Sequence, residues 1–164
     1  MNVRGSRTLA APPDAVFEAI CDPRTLLGVI PGCQAIERVD EVEYRCRISL
    51  RLPGLAGTYR TVVRLVDADP PTSGRLDGEV VGALGSITGS ASFRLVATDG
   101  GTTVEYDGRA TIGGPLARLD SRFVEGLARS LVNQGLGNLD HRLQGDSPAR
   151  PPADDALPRK EVQR

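Results

Sequence analysis

The chain has 164 residues, a formal net charge of -1, 40% hydrophobic and only 4% aromatic residues, and no Trp. This is core enough for one domain and not for two. The balanced charge, with no basic block and no interleaved basic and aromatic run, excludes a nucleic-acid footprint.

Residues 2–9, NVRGSRTL, read as a first strand. APPDAVFEAI then starts a helix, with Pro12 and Pro13 in its first turn and Val16, Phe17 and Ile20 on one apolar face. The opening residues hold no apolar stretch of signal-peptide length, and no window approaches the roughly 18–20 apolar residues of a membrane span, so a cytoplasmic chain is expected. A shorter helix follows from Asp22 as N-cap, with Pro23 at its first position and Leu26, Leu27 and Ile30 apolar, and stops at Pro31 and Gly32. From residue 34 the period becomes two. YRCRISLRL puts Tyr44, Cys46, Ile48, Leu50 and Leu52 on one face and Arg45, Arg47, Ser49 and Arg51 on the other, as a half-buried antiparallel strand requires. The same alternation turns Tyr59 and Val63 inward in TYRTVVRLVDA and Val80 inward in GRLDGEVVG. It does the same for Ile87 and Phe93 in ITGSASFRLVAT and for Tyr106 in TTVEYDGRATI. LPGLAG, DADPPTSG and TDGG carry the residues of turns. With Asp99 and Gly100 as a two-residue type I′ turn, Thr98 faces Gly101, Phe93 faces Tyr106 inside and Arg94 faces Glu105 outside.

After Gly113 and Gly114 the helical period returns. Leu116, Leu119, Phe123, Leu127 and Leu131 form one stripe, with Arg118, Asp120, Arg122, Glu125 and Arg129 away from it. This predicts one long amphipathic helix, loosened near Gly135 and Gly137. Residues 144–164, rich in Pro and charge, read as a disordered tail, which leaves 1–143 as the domain. The predicted architecture is α+β: a strongly curved antiparallel sheet of about seven strands wrapped around the C-terminal helix, with two short helices after the first strand closing one end. A curved sheet and a straight rod do not fit flush, so an elongated cavity is expected between them. Its lining is the set of inward sheet residues, with Leu27, Ile30 and Pro31 at the mouth and Leu119, Phe123 and Leu127 on the helix. The segment LLGVIPGC, residues 26–33, is placed as a lid.

No catalytic constellation emerges. The single His141 near the end of the last helix reads as a surface or capping residue, suited to a helix C-terminus, and Asp77, Glu79, Glu105 and Asp107 fall on outer faces. GALGSITGS lacks the Lys and the strand-to-helix turn of a phosphate loop; its glycines bend the sheet or admit a ligand to the backbone. Cys21, Cys33 and Cys46 are odd in number, without CxxC spacing, and read as reduced, mostly buried thiols rather than a disulfide frame or metal site. Tyr44, Tyr59 and Tyr106 are polar handles for a ligand headgroup or ordinary core tyrosines. The outward ladder Arg45, Arg47, Arg51, Arg60 and Arg64 places Arg51 near Arg60 and Arg47 near Arg64. Asp77 and Glu79, beside Arg64 and Val62, neutralise it in a solvated network, or an acidic partner or anionic lipid does so.

The run APPDAVFEAICDPRTLLGVIPGCQAIERV, then VVGALGSITGSASFRL, GGTTVEYDGRATIGGPLARL and the terminal amphipathic helix, in that order and spacing, resemble the G subunit of aerobic carbon monoxide dehydrogenases. That family belongs to the START-like (SRPBCC) superfamily with its helix-grip fold, and the resemblance spans residues 1–143. It implies a non-catalytic accessory protein of a molybdenum-containing dehydrogenase, linked to the attachment of that enzyme to the cytoplasmic membrane. It also implies a lipophilic ligand, a membrane quinone such as menaquinone, and no covalent cofactor. Where some members hold the membrane through a C-terminal extension, this tail has no apolar run. Transient peripheral docking through Leu26, Leu27, Val29 and Ile30 is expected instead of a permanent anchor. Two other functions compete: an assembly factor or tether with a closed core, and an enzyme like the aromatic polyketide cyclases, against which the apolar inward positions speak.

Overall fold

The computed structural model describes residues 1–145; residues 146–164, which hold most of the predicted tail, lie outside them. Strand β1 (Asn2–Leu9) leads into α1 (Pro13–Ile20) and α2 (Pro23–Val29). Asp22 caps α2 as its position predicts: one carboxylate oxygen accepts the Arg24 N–H at 3.1 Å and the other the Thr25 hydroxyl at 3.1 Å. The helix ends when Ile30 turns extended, and Gly32 then takes φ +77°, a left-handed conformation that favours glycine. A Cβ at Gly32 would strike the Ser49 carbonyl oxygen, while the Ser49 N–H donates to the Gly32 carbonyl at 2.8 Å. The IPGC turn is thus clasped against the end of β3.

Six strands follow: β2 (Cys33–Arg38), β3 (Glu43–Leu50), β4 (Gly57–Asp69), β5 (Ser73–Gly82), β6 (Gly85–Thr98) and β7 (Gly101–Gly113). The seven strands form one antiparallel sheet in the order β1-β7-β6-β5-β4-β3-β2. The β6–β7 hairpin has the expected register, with Thr98 opposite Gly101, Phe93 opposite Tyr106 and Arg94 opposite Glu105. Its turn is not type I′. Gly100 has φ +79° but Asp99 keeps a negative φ, so only the second position uses glycine's freedom.

The β3–β4 register differs from the sequence reading. Arg47, not Arg51, stands opposite Arg60, and Glu43, not Arg47, stands opposite Arg64, a slide of four residues that leaves every side chain on its expected face. Two contacts select this slide. Glu43 pairs with Arg64 across the ladder at 3.0 Å, and the loop after β3 buries Leu55 while its carbonyl accepts the Tyr59 hydroxyl at 2.8 Å. The expected neighbours Arg64–Asp77 and Val62–Glu79 across β4–β5 are present.

The predicted long helix is interrupted. Gly114–Arg118 form a 3₁₀ turn, Leu119 leaves helical geometry, and Asp120 caps a new helix, α3 (Ser121–Leu143), by accepting the Arg122 N–H at 2.8 Å. Leu116 and Leu119 therefore do not share a helical stripe with Phe123, which is 44% exposed. Nor does α3 loosen at its glycines: it is continuous across Gly135 and Gly137, where the missing side chains admit Pro31 and the Arg7 guanidinium.

Two apolar clusters hold the sheet and α3 together. One gathers Leu9, Val16, Phe17, Val29, Phe93, Leu95, Val104 and Leu139 around α1, α2 and the C-terminal half of α3. The other gathers Leu55, Tyr59 and Leu116, with Leu50, Val80, Ile87, Leu119 and Leu127 packed on them, at the opposite end. Polar contacts then fix the helix along the edge strand β1. The Asn2 N–H donates to Glu125 at 3.3 Å, the Arg7 guanidinium to the Asn133 carbonyl at 3.2 Å, and the Ala10 N–H to Asp140 at 2.9 Å. The closest backbone neighbours of α3 are accordingly β1, α1 and α2. The inner face of the central strands is left partly open: Leu76, which points inward between Leu65 and Ala91, is 38% exposed. Among the described residues, no helix is long and apolar enough to cross a membrane.

Candidate ligand-binding cleft

The helix lies along β1, so the sheet opens on the other side of α3. A cleft of about 530 Å³ lies there. One wall is the α2 exit and the start of β2, Pro31 to Gln34; a second is the end of β3 and its loop, Ser49 to Leu52. The third is a single face of α3 formed by Leu131, Gln134 and Asn138. Asn138 also donates its side-chain amide to the Val29 carbonyl at 3.0 Å, tying α2 to α3 at the rim. Of residues 26–33, expected as a lid, only Pro31, Gly32 and Cys33 line the cleft; Leu27 and Ile30, expected at its mouth, do not. A groove of about 470 Å³ lies on the opposite, outer face of the sheet, at Asp77, Thr88, Ser90 and Arg109, away from the inward apolar residues.

The inner face continues from the cleft through Ile48, Cys46 and Val63. These three belong to neither packed cluster and are only partly buried. A register shift between Cys33 and Ala35 at the start of β2 sets Cys33 opposite Ile48, beside Cys46. All three cysteines are free and half-buried, more accessible than the sequence alone predicts. Burial pushes the Cys46 thiol up to about 11, with the neighbouring Cys33 adding to the rise. Burial likewise raises Cys33 and Cys21. At neutral pH these groups stay protonated, as weak donors rather than thiolate nucleophiles. Across the β3–β4 ladder from Cys46 stands Thr61, 6% exposed, whose hydroxyl oxygen has no hydrogen-bond partner among the described residues; Cys46 interacts with it without reaching bonding geometry.

The other predicted lining residues are distributed differently. Tyr44 donates its hydroxyl to the Cys21 carbonyl at 2.8 Å and Tyr59 to the Leu55 carbonyl, so both act as core tyrosines with their polar ends already used. Burial raises both phenols. Tyr106 lies over Gly5, with its ring packed on the first cluster. Phe93 is enclosed against Phe17, ring centroids 6.0 Å apart. Leu50 lines the cleft and also packs on the second cluster, while Val80, Ile87, Leu119 and Leu127 close the far end. Leu27, 43% exposed, and Phe123 stand at the surface, while Val29 is buried and contributes nothing to an exposed rim. Ile30 and Pro31 are half-buried at the α2 exit.

Gln34, Ser49, Gln134 and Asn138 are absent from the lining that the sequence predicts. A signal for the two helix residues exists: with Leu131 they recur at the spacing of one helix face, amides on a stripe otherwise apolar. The two strand residues depend on the slide of β3 and on the bulge, which no local pattern encodes.

The fold finds many counterparts. A conserved protein from Geobacillus kaustophilus superposes with a TM-score of 0.85 at 23% identity, covering 88% of this chain and 96% of that one. A START superfamily protein from Mycobacterium smegmatis gives 0.69 at 11% identity over 88% and 97%. A protein from Thermus thermophilus gives 0.68 at 19% over 90% and 99%. At these identities the likeness establishes the fold, the START-like helix grip. No curated protein matches the chain at a significant level. The family model of the carbon monoxide dehydrogenase G subunit (CoxG) matches residues 5–144, from within β1 to just past the end of α3, and this chain therefore belongs to that family.

Proposed function

We propose that this protein is a non-catalytic accessory protein of an aerobic molybdenum-containing carbon monoxide dehydrogenase or a related hydroxylase, and that it holds a lipophilic ligand, a membrane quinone such as menaquinone, between its sheet and α3. The family supports the partner. The observation that carries the ligand is the position of α3: held on β1, it leaves Cys46, Ile48, Val63 and Leu76 facing inward yet incompletely covered, beside a cleft of about 530 Å³. Soluble domains rarely leave apolar sheet positions in this state without an occupant.

Affinity would come from the apolar part of the ligand, roughly 2.5 kcal/mol for each 100 Å² removed from water before ordering costs. Orientation would come from the few polar groups at the mouth, chiefly the amide of Gln134, which can donate to a quinone carbonyl, since the Cys33 thiol already donates to the Ala35 carbonyl at 3.5 Å. Exposed Leu27 on α2, close to the cleft wall, is the contact through which the protein would meet a bilayer briefly to load.

Titration of lipid-free protein with a short-chain menaquinone, followed by equilibrium fluorescence or calorimetry, tests the reading. Saturable one-to-one binding at micromolar concentration or below is expected. Absence of binding in that range would overturn the carrier role and leave the protein as a tether.

A further inference from the structure

Like charges directly opposite one another on a sheet face cost stability unless something neutralises them. On the outer face most arginines are matched. Glu43 serves both Arg45 and Arg64 at 3.0 Å, and Arg75 is held by Asp67 at 2.9 Å and Asp77 at 3.0 Å. Arg47, Arg60 and Arg109 are exposed there without a carboxylate partner among the described residues, and of these Arg47 and Arg60 stand directly opposite each other across β3–β4, whereas Arg109 faces Ser90. Arg47 reaches only the Gln34 amide oxygen, at 3.4 Å. Exposed Arg51, also without an ion pair among the described residues, lines the cleft together with Gln34, so the unmatched charge adjoins the cleft mouth.

We infer that Arg47, Arg60 and Arg51 form the docking patch for an acidic protein surface, that of the dehydrogenase, and that docking there turns the cleft mouth towards the partner. This deepens the proposed function and rests on it. Two guanidinium forks on neighbouring strands can each take a carboxylate in bidentate fashion, and a carboxylate placed between them removes the repulsion the free protein carries. An anionic bilayer fits the patch less well. The same sheet face carries Glu43, Asp77 and Glu79, which a continuous negative surface would repel, whereas a protein can set its carboxylates against the arginines alone. The large exposed apolar residues that could enter lipid, Leu27, Val39, Leu76 and Phe123, lie on α2, in the β2–β3 turn, on the inner face and on α3.

The test uses the full chain and the purified molybdenum dehydrogenase holoenzyme of the same host, with affinity read by biolayer interferometry at low and physiological salt. Arg47→Glu sets a carboxylate opposite Arg60. Its melting temperature is expected to hold or rise while affinity for the enzyme falls at least tenfold, a combination that general damage to the fold would not produce. Arg60→Gln, which only removes charge, should weaken binding in the same direction, and Arg94→Gln, at an arginine 3.6 Å from Glu105, should bind as wild type. Wild-type affinity in both Arg47→Glu and Arg60→Gln would overturn the patch while leaving the accessory role intact. Absence of wild-type binding to the enzyme would overturn both. Retained enzyme binding with loss of sedimentation on phosphatidylglycerol vesicles would mark the patch as a lipid contact and overturn the inference.

Discussion

Leu139→Ala is expected to lower the unfolding free energy by about 3 kcal/mol and the melting temperature by about 10 °C. Leu139 is 2% exposed, at the centre of the cluster that joins α1, α2, β6 and β7 to the C-terminal half of α3. Truncation there removes apolar contacts and leaves a cavity that the surrounding elements, tied by Asn138 to Val29 and by Asp140 to Ala10, cannot easily collapse into. Phe123→Ala, in the first turn of the same helix, is expected to cost less than about 1 kcal/mol, because its ring is 44% exposed beside Gly54. Paired thermal or urea unfolding curves check the contrast. Equal costs for the two would mean that α3 is gripped along its whole length and that the space beside it is closed.

The second large effect concerns ligand rather than stability. Val63→Phe and Ile48→Phe add volume at inner-face positions outside both packed clusters, Val63 opposite Gly78, where the neighbouring strand offers no side chain. In a packed core such enlargement would cost about 1–3 kcal/mol. Here the melting temperature is expected to shift by no more than about 3 °C, while menaquinone affinity falls at least tenfold, equivalent to about 1.4 kcal/mol. Large destabilisation with unchanged ligand binding would show that these positions are filled in the free protein and that the ligand lies elsewhere.

Much of the fold is legible because independent local signals agree. Asp22, Pro23 and the Pro31-Gly32 pair bracket α2 with a cap, a start and a stop, and all act within a few residues of themselves. The β6–β7 register is fixed by two faces at once, Phe93 with Tyr106 and Arg94 with Glu105. The β3–β4 register is not, since a period of two sets the face of a strand but not its slide, and only the Glu43–Arg64 pair and the anchored Leu55 loop choose among slides. The break at Leu119 is hidden for a similar reason. Leu116, Leu119 and Phe123 keep helical spacing across it, and Asp120 reads as a solvent-facing charge when it is in fact an N-cap. The cleft is legible as a mismatch between curved sheet and straight helix. Its lining is less so, because the side of α3 that opens depends on contacts as distant in sequence as Asn2 with Glu125 and Arg7 with Asn133. Thr61, central on the inner face, reads in the sequence as one more residue of a β-strand.

The most direct test of a lipophilic carrier is native mass spectrometry, with organic extraction, of the full chain purified from its own host without detergent. The expected result is a near-stoichiometric quinone that is retained in the gas phase, recovered in the extract and lost from Val63→Phe. A correctly folded wild-type protein that emerges empty, and stays empty after incubation with quinone-loaded vesicles, would contradict the account.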